Sequence, residues 1–139
     1  MITYVCMHRL FNIRIDDISS VDFAEILTKW LDLNEPHIIF TPNPEFLLLA
    51  RRDPEFAQLL NQNDLSLCDG VGLRFAIAAL TDNRLIHRQT GVDALHLLSQ
   101  LCAQPQKRLL LLGGMNGVAN EAAQMLQQEI LLCRMQGQG

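Results

Sequence analysis

The sequence predicts an α/β domain, a parallel sheet covered by helices on both faces, and three observations carry that expectation. Short stretches that are apolar on both sides, His37–Thr41, Leu65–Cys68 and Leu109–Leu112, read as fully buried strands. Each is followed by a helical pattern, so strand and helix alternate as in parallel crossover units. Each handover also carries its own polar or glycine-bearing segment: Thr41-Pro42-Asn43-Pro44-Glu45, Asp69-Gly70-Val71-Gly72, and Leu112-Gly113-Gly114-Met115-Asn116-Gly117-Val118-Ala119. Those are the strand ends where open α/β sheets keep their ligand sites.

Taken in order, residues 2–6 and 10–15 alternate or run apolar and are expected as an opening pair of short strands. Ser19-x-x-Asp22 is a capping box in its acidic form. Phe23, Ile26, Leu27, Trp30 and Leu31 then fall on one helix face. Pro36 punctuates before the strand at His37–Thr41, and Pro42 and Pro44 are expected to hold off helix until Glu45, with Phe46 to Arg52 helical. Asp53 caps a following helix with Pro54 at its first position. After Leu65–Cys68 comes Val71 to Leu80, apolar all round and therefore expected to be buried. A polar stretch at Thr81 to Gln89 carries several basic residues, and Gly91 leads into a helix that Pro105 ends. Leu109–Leu112 is the third expected strand and Asn116 to Leu132 the final helix. Residues 134–139 are rich in glycine and glutamine without apolar pattern, and read as a disordered tail.

The 139 residues suffice for one domain with a real core, and 49% of them are hydrophobic. Aromatic residues make up only 6%, so that core must be mainly Leu, Ile, Val and Ala. A net charge of −4 argues against bulk electrostatic binding of nucleic acid, which needs a basic face to displace counterions. No apolar run approaches the roughly 18–20 residues of a membrane span. Nor does Met1-Ile2-Thr3-Tyr4-Val5-Cys6 open a secretory leader, so a cytoplasmic location is expected. Cys6, Cys68, Cys102 and Cys133 lack any CxxC or metal-ligand spacing and are expected as buried free thiols.

The residues that carry chemistry lie at the strand ends. Asp69 is a lone carboxylate beside glycines that let a substrate approach the backbone, and fits either a catalytic base or a helix N-cap. The Gly113-Gly114 turn opens a helix and suits phosphate oxygens on free N–H groups; it also fits a simple relief of crowding. It is neither the dinucleotide fingerprint nor a P-loop. Thr41 and Asn43 can stabilise a turn between prolines. Arg88, with Arg84 and His87, can face substrate phosphate or be ordinary solvated surface, and Asp93 is an early-helix acid that favours the dipole. Cys68 directly precedes Asp69, a neighbour that would discourage a thiolate. His8, His37 and His96 show no ligand spacing. A base and a phosphate cradle on one sheet edge point to group transfer from a phosphorylated donor.

Five segments in register resemble the N-terminal portion of the WecG/TagA/CpsF glycosyltransferases (glycosyltransferase family 26). They are Ile15-Asp16, Thr41 to Glu45, Asp69 to Gly72, Arg88-Gln89-Thr90-Gly91-Val92-Asp93, and Leu112 to Ala119. The resemblance implies a Rossmann-like domain and inverting transfer of an N-acetylated hexosamine, N-acetylmannosamine or its uronic acid. The implied donor is a UDP-sugar and the implied acceptor an undecaprenyl-diphosphate-linked sugar, in cell-surface polysaccharide synthesis. On this resemblance Asp69 matches the family's base, Thr41 and Asn43 the acceptor pocket, and Arg88 an arginine near the diphosphate. Gly113, Gly114 and Gly117 match the nucleotide-side loop. The family has no Asp-x-Asp metal motif and neither has this chain, so no metal and no cofactor beyond the UDP-sugar substrate is expected.

Residues 1–133 are thus read as the N-terminal portion of a glycosyltransferase domain, and 134–139 as its tail. The family's Pro-Lys-Gln-Glu-type segment and basic C-terminal appendage, linked to peripheral membrane contact, find no match here. The sheet is therefore expected to be truncated, with an exposed edge that favours self-association. Two functions follow as expectations: a transferase at the inner face of the plasma membrane, or a non-catalytic nucleotide-sugar-binding remnant.

Overall fold

The computed structural model describes residues 5–33, 35–103, 107–115 and 117–136. The chain forms two compact units, Met1–Asp93 and Ala94–Gly139.

The first unit opens with β1 (Cys6–Leu10) and β2 (Ile13–Asp17), an antiparallel hairpin in register from Cys6↔Asp17 to Leu10↔Ile13. The strands lie a few residues from their expected limits because the turn falls on Phe11 and Asn12, at φ 50° and 64°. Two left-handed residues make a turn whose twist suits the hairpin, and Asn adopts that conformation readily while Phe does not. Four side-chain contacts hold it: Arg9 donates to the Asn12 carbonyl at 3.3 Å, and three more come from Asn61 and Arg51. Asn61 donates to the Asn12 carbonyl at 3.0 Å and accepts from Arg14 N–H at 3.1 Å, and the Arg51 guanidinium lies 4.7 Å over the Phe11 ring.

Helix α1 (Ser20–Asp32) begins at the expected capping box: Ser19 Oγ accepts from Asp22 N–H at 3.2 Å and donates to its carboxylate at 2.7 Å. Phe23 and Leu27 are buried, and Trp30 stacks on His37 with ring centroids 4.3 Å apart. After β3 (Ile39–Phe40), helix α2 (Pro44–Ala50) starts earlier than expected. Pro44 occupies the first turn, where its missing N–H is no loss, and Asn43 caps by accepting from Phe46 N–H at 2.9 Å. Helix α3 (Pro54–Leu60) follows the expected Asp53 cap.

Strand β4 (Leu65–Ser66) pairs parallel to β3 through Ile39↔Leu65 and Phe40↔Ser66. A bridge between Asp16 and Leu67 joins this pair to the hairpin, and Ser66 N–H donates to the buried Asp16 carboxylate at 2.8 Å. Helix α4 (Val71–Leu80) then packs Leu73 and Ile77 against Leu10, Ile13, Ile15, Leu47, Leu60 and Leu85. The expectation of a fully buried helix is corrected: Val71, Phe75 and Leu80 are exposed, so α4 buries a single stripe at i, i+4 spacing.

Helix α5 (Gly91–Cys102) enters the second unit, whose other helix is α6 (Val118–Gln136). An apolar cleft of about 360 Å³ lies between the two helices and the 107–112 segment, lined by Cys102, Leu109, Leu111, Leu126 and Ile130 among others. The third expected strand is also corrected. Residues 107–112 join no ladder among the described residues, and Leu110 and Leu112 are 84% and 95% exposed. A central parallel strand exists only with hydrogen-bonded neighbours, so its apolar sequence alone does not make one. The parallel, helix-covered sheet is therefore realised in part, as one two-stranded parallel pair bridged to an antiparallel hairpin. Helix α6 runs on to Gln136; residues 137–139, Pro105, Asn116 and the Cys133 side chain lie outside the described residues.

Candidate functional site

At the carboxyl ends of β3 and β4 the chain turns twice into helices, and the two turns touch. Asp69 N–H donates to the Pro42 carbonyl at 3.3 Å, setting the Thr41–Asn43 turn against Asp69–Gly70. A Cβ on Gly72 would stand 3.1 Å from Pro44 Cγ, so glycine lets the first turns of α4 and α2 approach each other. A Cβ on Gly91 would meet the Thr41 side chain at 3.5 Å, which brings the start of α5 to the same place. Three helix N-termini thus begin around Thr41 and Asp69; α2 and α5 are capped by Asn43 and Thr90, and α4 alone has no side-chain cap, which leaves its first N–H groups for an anionic group.

Asp69 is half-buried, and its carboxylate has no hydrogen bond or ion pair among the described residues. It does not cap α4. Gly70 stands at the N-cap with φ 92° and ψ 155°, and no side chain caps the helix. Of the two roles open to Asp69, the cap is therefore not used, and its lone pairs remain available. Asn43 is committed in part: its Oδ1 caps α2, which leaves the amide N–H₂ for a ligand. Thr41 is half-buried, and Arg88 is exposed with no hydrogen bond or ion pair among the described residues. Its charge nonetheless reaches the Cys68 thiol beside Asp69.

That thiol is pushed up to about 11 by burial above all; Arg74 pulls it down, the Asp17 and Asp69 carboxylates push it up further, and Arg88 opposes them least. It is no nucleophile at neutral pH. The cysteines are not uniformly buried as expected: Cys6 is exposed and Cys102 half-buried, all three described ones being free thiols. Burial also raises the Cys102 thiol. Thr90 and Asp93 form a second capping box, with Thr90 Oγ1 donating to the Asp93 carboxylate at 2.7 Å and accepting from Asp93 N–H at 3.2 Å.

Sequence reasoning passed over Asp17. Its buried carboxylate accepts the N–H groups of Ile86 and His87 at 2.7 and 2.8 Å and lies 3.0 Å from His87 Nδ1. The signal was faint, a second acidic residue closing an otherwise alternating strand.

In the second unit, Gly113, Gly114 and Gly117 have φ of 116°, 75° and 86°, conformations that glycine alone adopts readily. Crowding applies only at Gly114, where a Cβ would stand 3.1 Å from Val118 Cβ; at Gly113 and Gly117 the space is open. Among the described residues, the N–H groups of Gly113 and Gly114 have no partner. No group of three metal-ligating side chains occurs among the described residues, and no helix there is long and apolar enough to cross a membrane.

A parallel strand pair bridged to a hairpin and flanked by helices makes this a mixed α/β chain, with the Asp69 carboxylate uncommitted at the carboxyl end of the pair. The chain belongs to the glycosyl transferase WecG/TagA/CpsF family, whose model matches residues 8–137. It is 29% identical over 111 residues to the N-acetylglucosaminyldiphosphoundecaprenol N-acetyl-beta-D-mannosaminyltransferase of Bacillus subtilis (strain 168), a match covering 74% of this chain and 43% of that protein. The protein of the same name from Bacillus spizizenii (strain ATCC 23059 / NRRL B-14472 / W23) is 28% identical over 106 residues, 76% of this chain and 41% of its own length. The chain thus spans less than half the length of either relative.

Proposed function

We propose that this chain carries the base and part of the substrate site of an inverting glycosyltransferase. In this reading an N-acetylated hexosamine, N-acetylmannosamine or its uronic acid, moves from a UDP-sugar to an undecaprenyl-diphosphate-linked acceptor sugar, at the cytoplasmic face of the membrane and without a resident cofactor. The observation that supports it most directly is the uncommitted, half-buried carboxylate of Asp69 at the end of β4. A general base must keep a lone pair free and lie where a hydroxyl can reach it.

In the reaction an Asp69 oxygen takes the proton of the acceptor hydroxyl as that oxygen bonds to the anomeric carbon. The bond from that carbon to the UDP oxygen breaks, and its electron pair leaves on the diphosphate. Thr41 and the Asn43 amide N–H₂ orient the acceptor sugar. Arg88 takes up charge on the departing diphosphate, and the N–H groups of Gly113, Gly114 and Gly117 are a further phosphate-binding element. A carboxylate alone suffices as protein acid–base group, because UDP leaves without being protonated.

A second reading uses the same residues, with this chain binding nucleotide-sugar without completing turnover. Transfer of labelled N-acetylmannosamine from its UDP donor to a lipid-diphosphate acceptor, measured beside UDP-dependent thermal unfolding, separates the two. Transfer with a raised unfolding temperature favours the enzyme, and a raised temperature without transfer favours the binding unit. Neither effect would sink both.

A further inference from the structure

Asp17 closes β2 with a side chain that is only 3% exposed. A buried carboxylate is costly unless its oxygens are hydrogen-bonded, and here both are. Oδ2 accepts from Ile86 N–H, while Oδ1 accepts from His87 N–H and meets His87 Nδ1. The three contacts fall on two consecutive residues immediately before Arg88. Residues 83–90 form neither helix nor strand, so this stretch has no ladder of its own to fix its backbone. It has further anchors on either side: Asn83 N–H donates to Thr81 Oγ1 at 3.2 Å, Arg74 to the Leu85 carbonyl at 3.2 Å, Gln89 Nε2 to Ser20 Oγ at 2.8 Å and Thr90 N–H to the Asp93 carboxylate at 2.8 Å.

We propose that Asp17 is a positioning residue for Arg88. It pins the backbone from which the arginine departs and so aims an otherwise uncommitted guanidinium at substrate phosphate. The inference rests on the reading of Arg88 as a diphosphate ligand. A carboxylate is required because the donors approach both oxygens. An Asn in its place accepts at one oxygen only and turns an N–H₂ toward a backbone N–H.

UDP affinity is measured by calorimetry on the whole chain, its Asp17→Asn and Arg88→Ala variants, and the double variant, with amide hydrogen exchange alongside. Each single variant is expected to weaken UDP about tenfold, the scale of one charge-assisted hydrogen bond. The double variant is expected to bind no more weakly than Arg88→Ala, because aiming an absent side chain has no effect. Exchange at Ile86 and His87 is expected to be slow in the wild type and fast in Asp17→Asn, with Ile15 unchanged. Unaltered UDP affinity in Asp17→Asn, or additive losses in the double variant, overturns the inference while leaving Arg88 in place. Unaltered affinity in Arg88→Ala, or no UDP binding by the wild type, overturns the Arg88 reading and the inference with it. Should Asp17→Asn fail to fold, the wild-type amides decide, and fast exchange at Ile86 and His87 refutes the clamp.

Discussion

Replacing Gly70 by alanine isolates the backbone conformation that separates Asp69 from α4. At φ 92° and ψ 155° the residue lies in a region open essentially to glycine, and a Cβ there would meet nothing within 4 Å. The cost is therefore conformational rather than steric, about 1–3 kcal/mol for a side-chain-bearing residue held there. Alanine also stiffens the unfolded chain, an offset of about 0.4–1 kcal/mol. A net destabilisation of about 0.5–2 kcal/mol is expected. Gly72→Ala is the matched control two residues on. Its new Cβ meets Pro44 Cγ at 3.1 Å, a displacement of a few tenths of an ångström, while alanine in the helix contributes about 0.5–1 kcal/mol. Urea unfolding of the two variants beside the wild type is the assay. Gly70→Ala should show the larger loss, and the reasoning is refuted if it matches the wild type or if Gly72→Ala is the more damaging change.

Two further expectations concern the same unit. At pH 8, iodoacetamide should modify exposed Cys6 and spare Cys68, which burial holds protonated up to about 11; a Cys68 that reacts as fast as Cys6 would contradict its burial. The sign for stability follows from the same shift: the unfolded thiol ionises near 9.0, so the contribution of Cys68 is complete below that pH and is lost as pH rises toward 11. Asn61→Ala removes both bonds that Asn61 makes to the β1–β2 hairpin, leaving Arg9 on the Asn12 carbonyl, and should cost about 1–3 kcal/mol in urea unfolding. An unchanged midpoint would show that the turn does not depend on Asn61.

What could be read from the sequence were the features written locally. The Ser19 and Asp53 caps, the strand positions at Ile39 and Leu65, and the helix after Gly70 each follow from neighbours a few residues apart. The hairpin turn was hidden because Phe11, an apolar residue in a left-handed conformation, is supported by Arg51 from a helix far along the chain. The cap role of Asn43 was not legible, since Pro44 reads as a helix breaker when it is a helix opener. The Leu109–Leu112 stretch has the composition of a central strand but not the hydrogen-bonded neighbours that would make it one. Asp17 was illegible for a different reason: its partners are 69 and 70 residues away, and no local pattern records them. In the site itself, Asp69 stood out as a strand-end carboxylate beside glycines. Its freedom from the α4 cap is a property of the Gly70 backbone alone.

The central claim is that Asp69 acts as the base, and an Asp69→Asn variant assayed for both transfer and UDP affinity tests it most directly. The amide keeps the size of the carboxylate but cannot take the acceptor's proton. The account predicts a loss of turnover of about 10²–10⁴-fold with UDP affinity retained. Turnover equal to that of the wild type would contradict it.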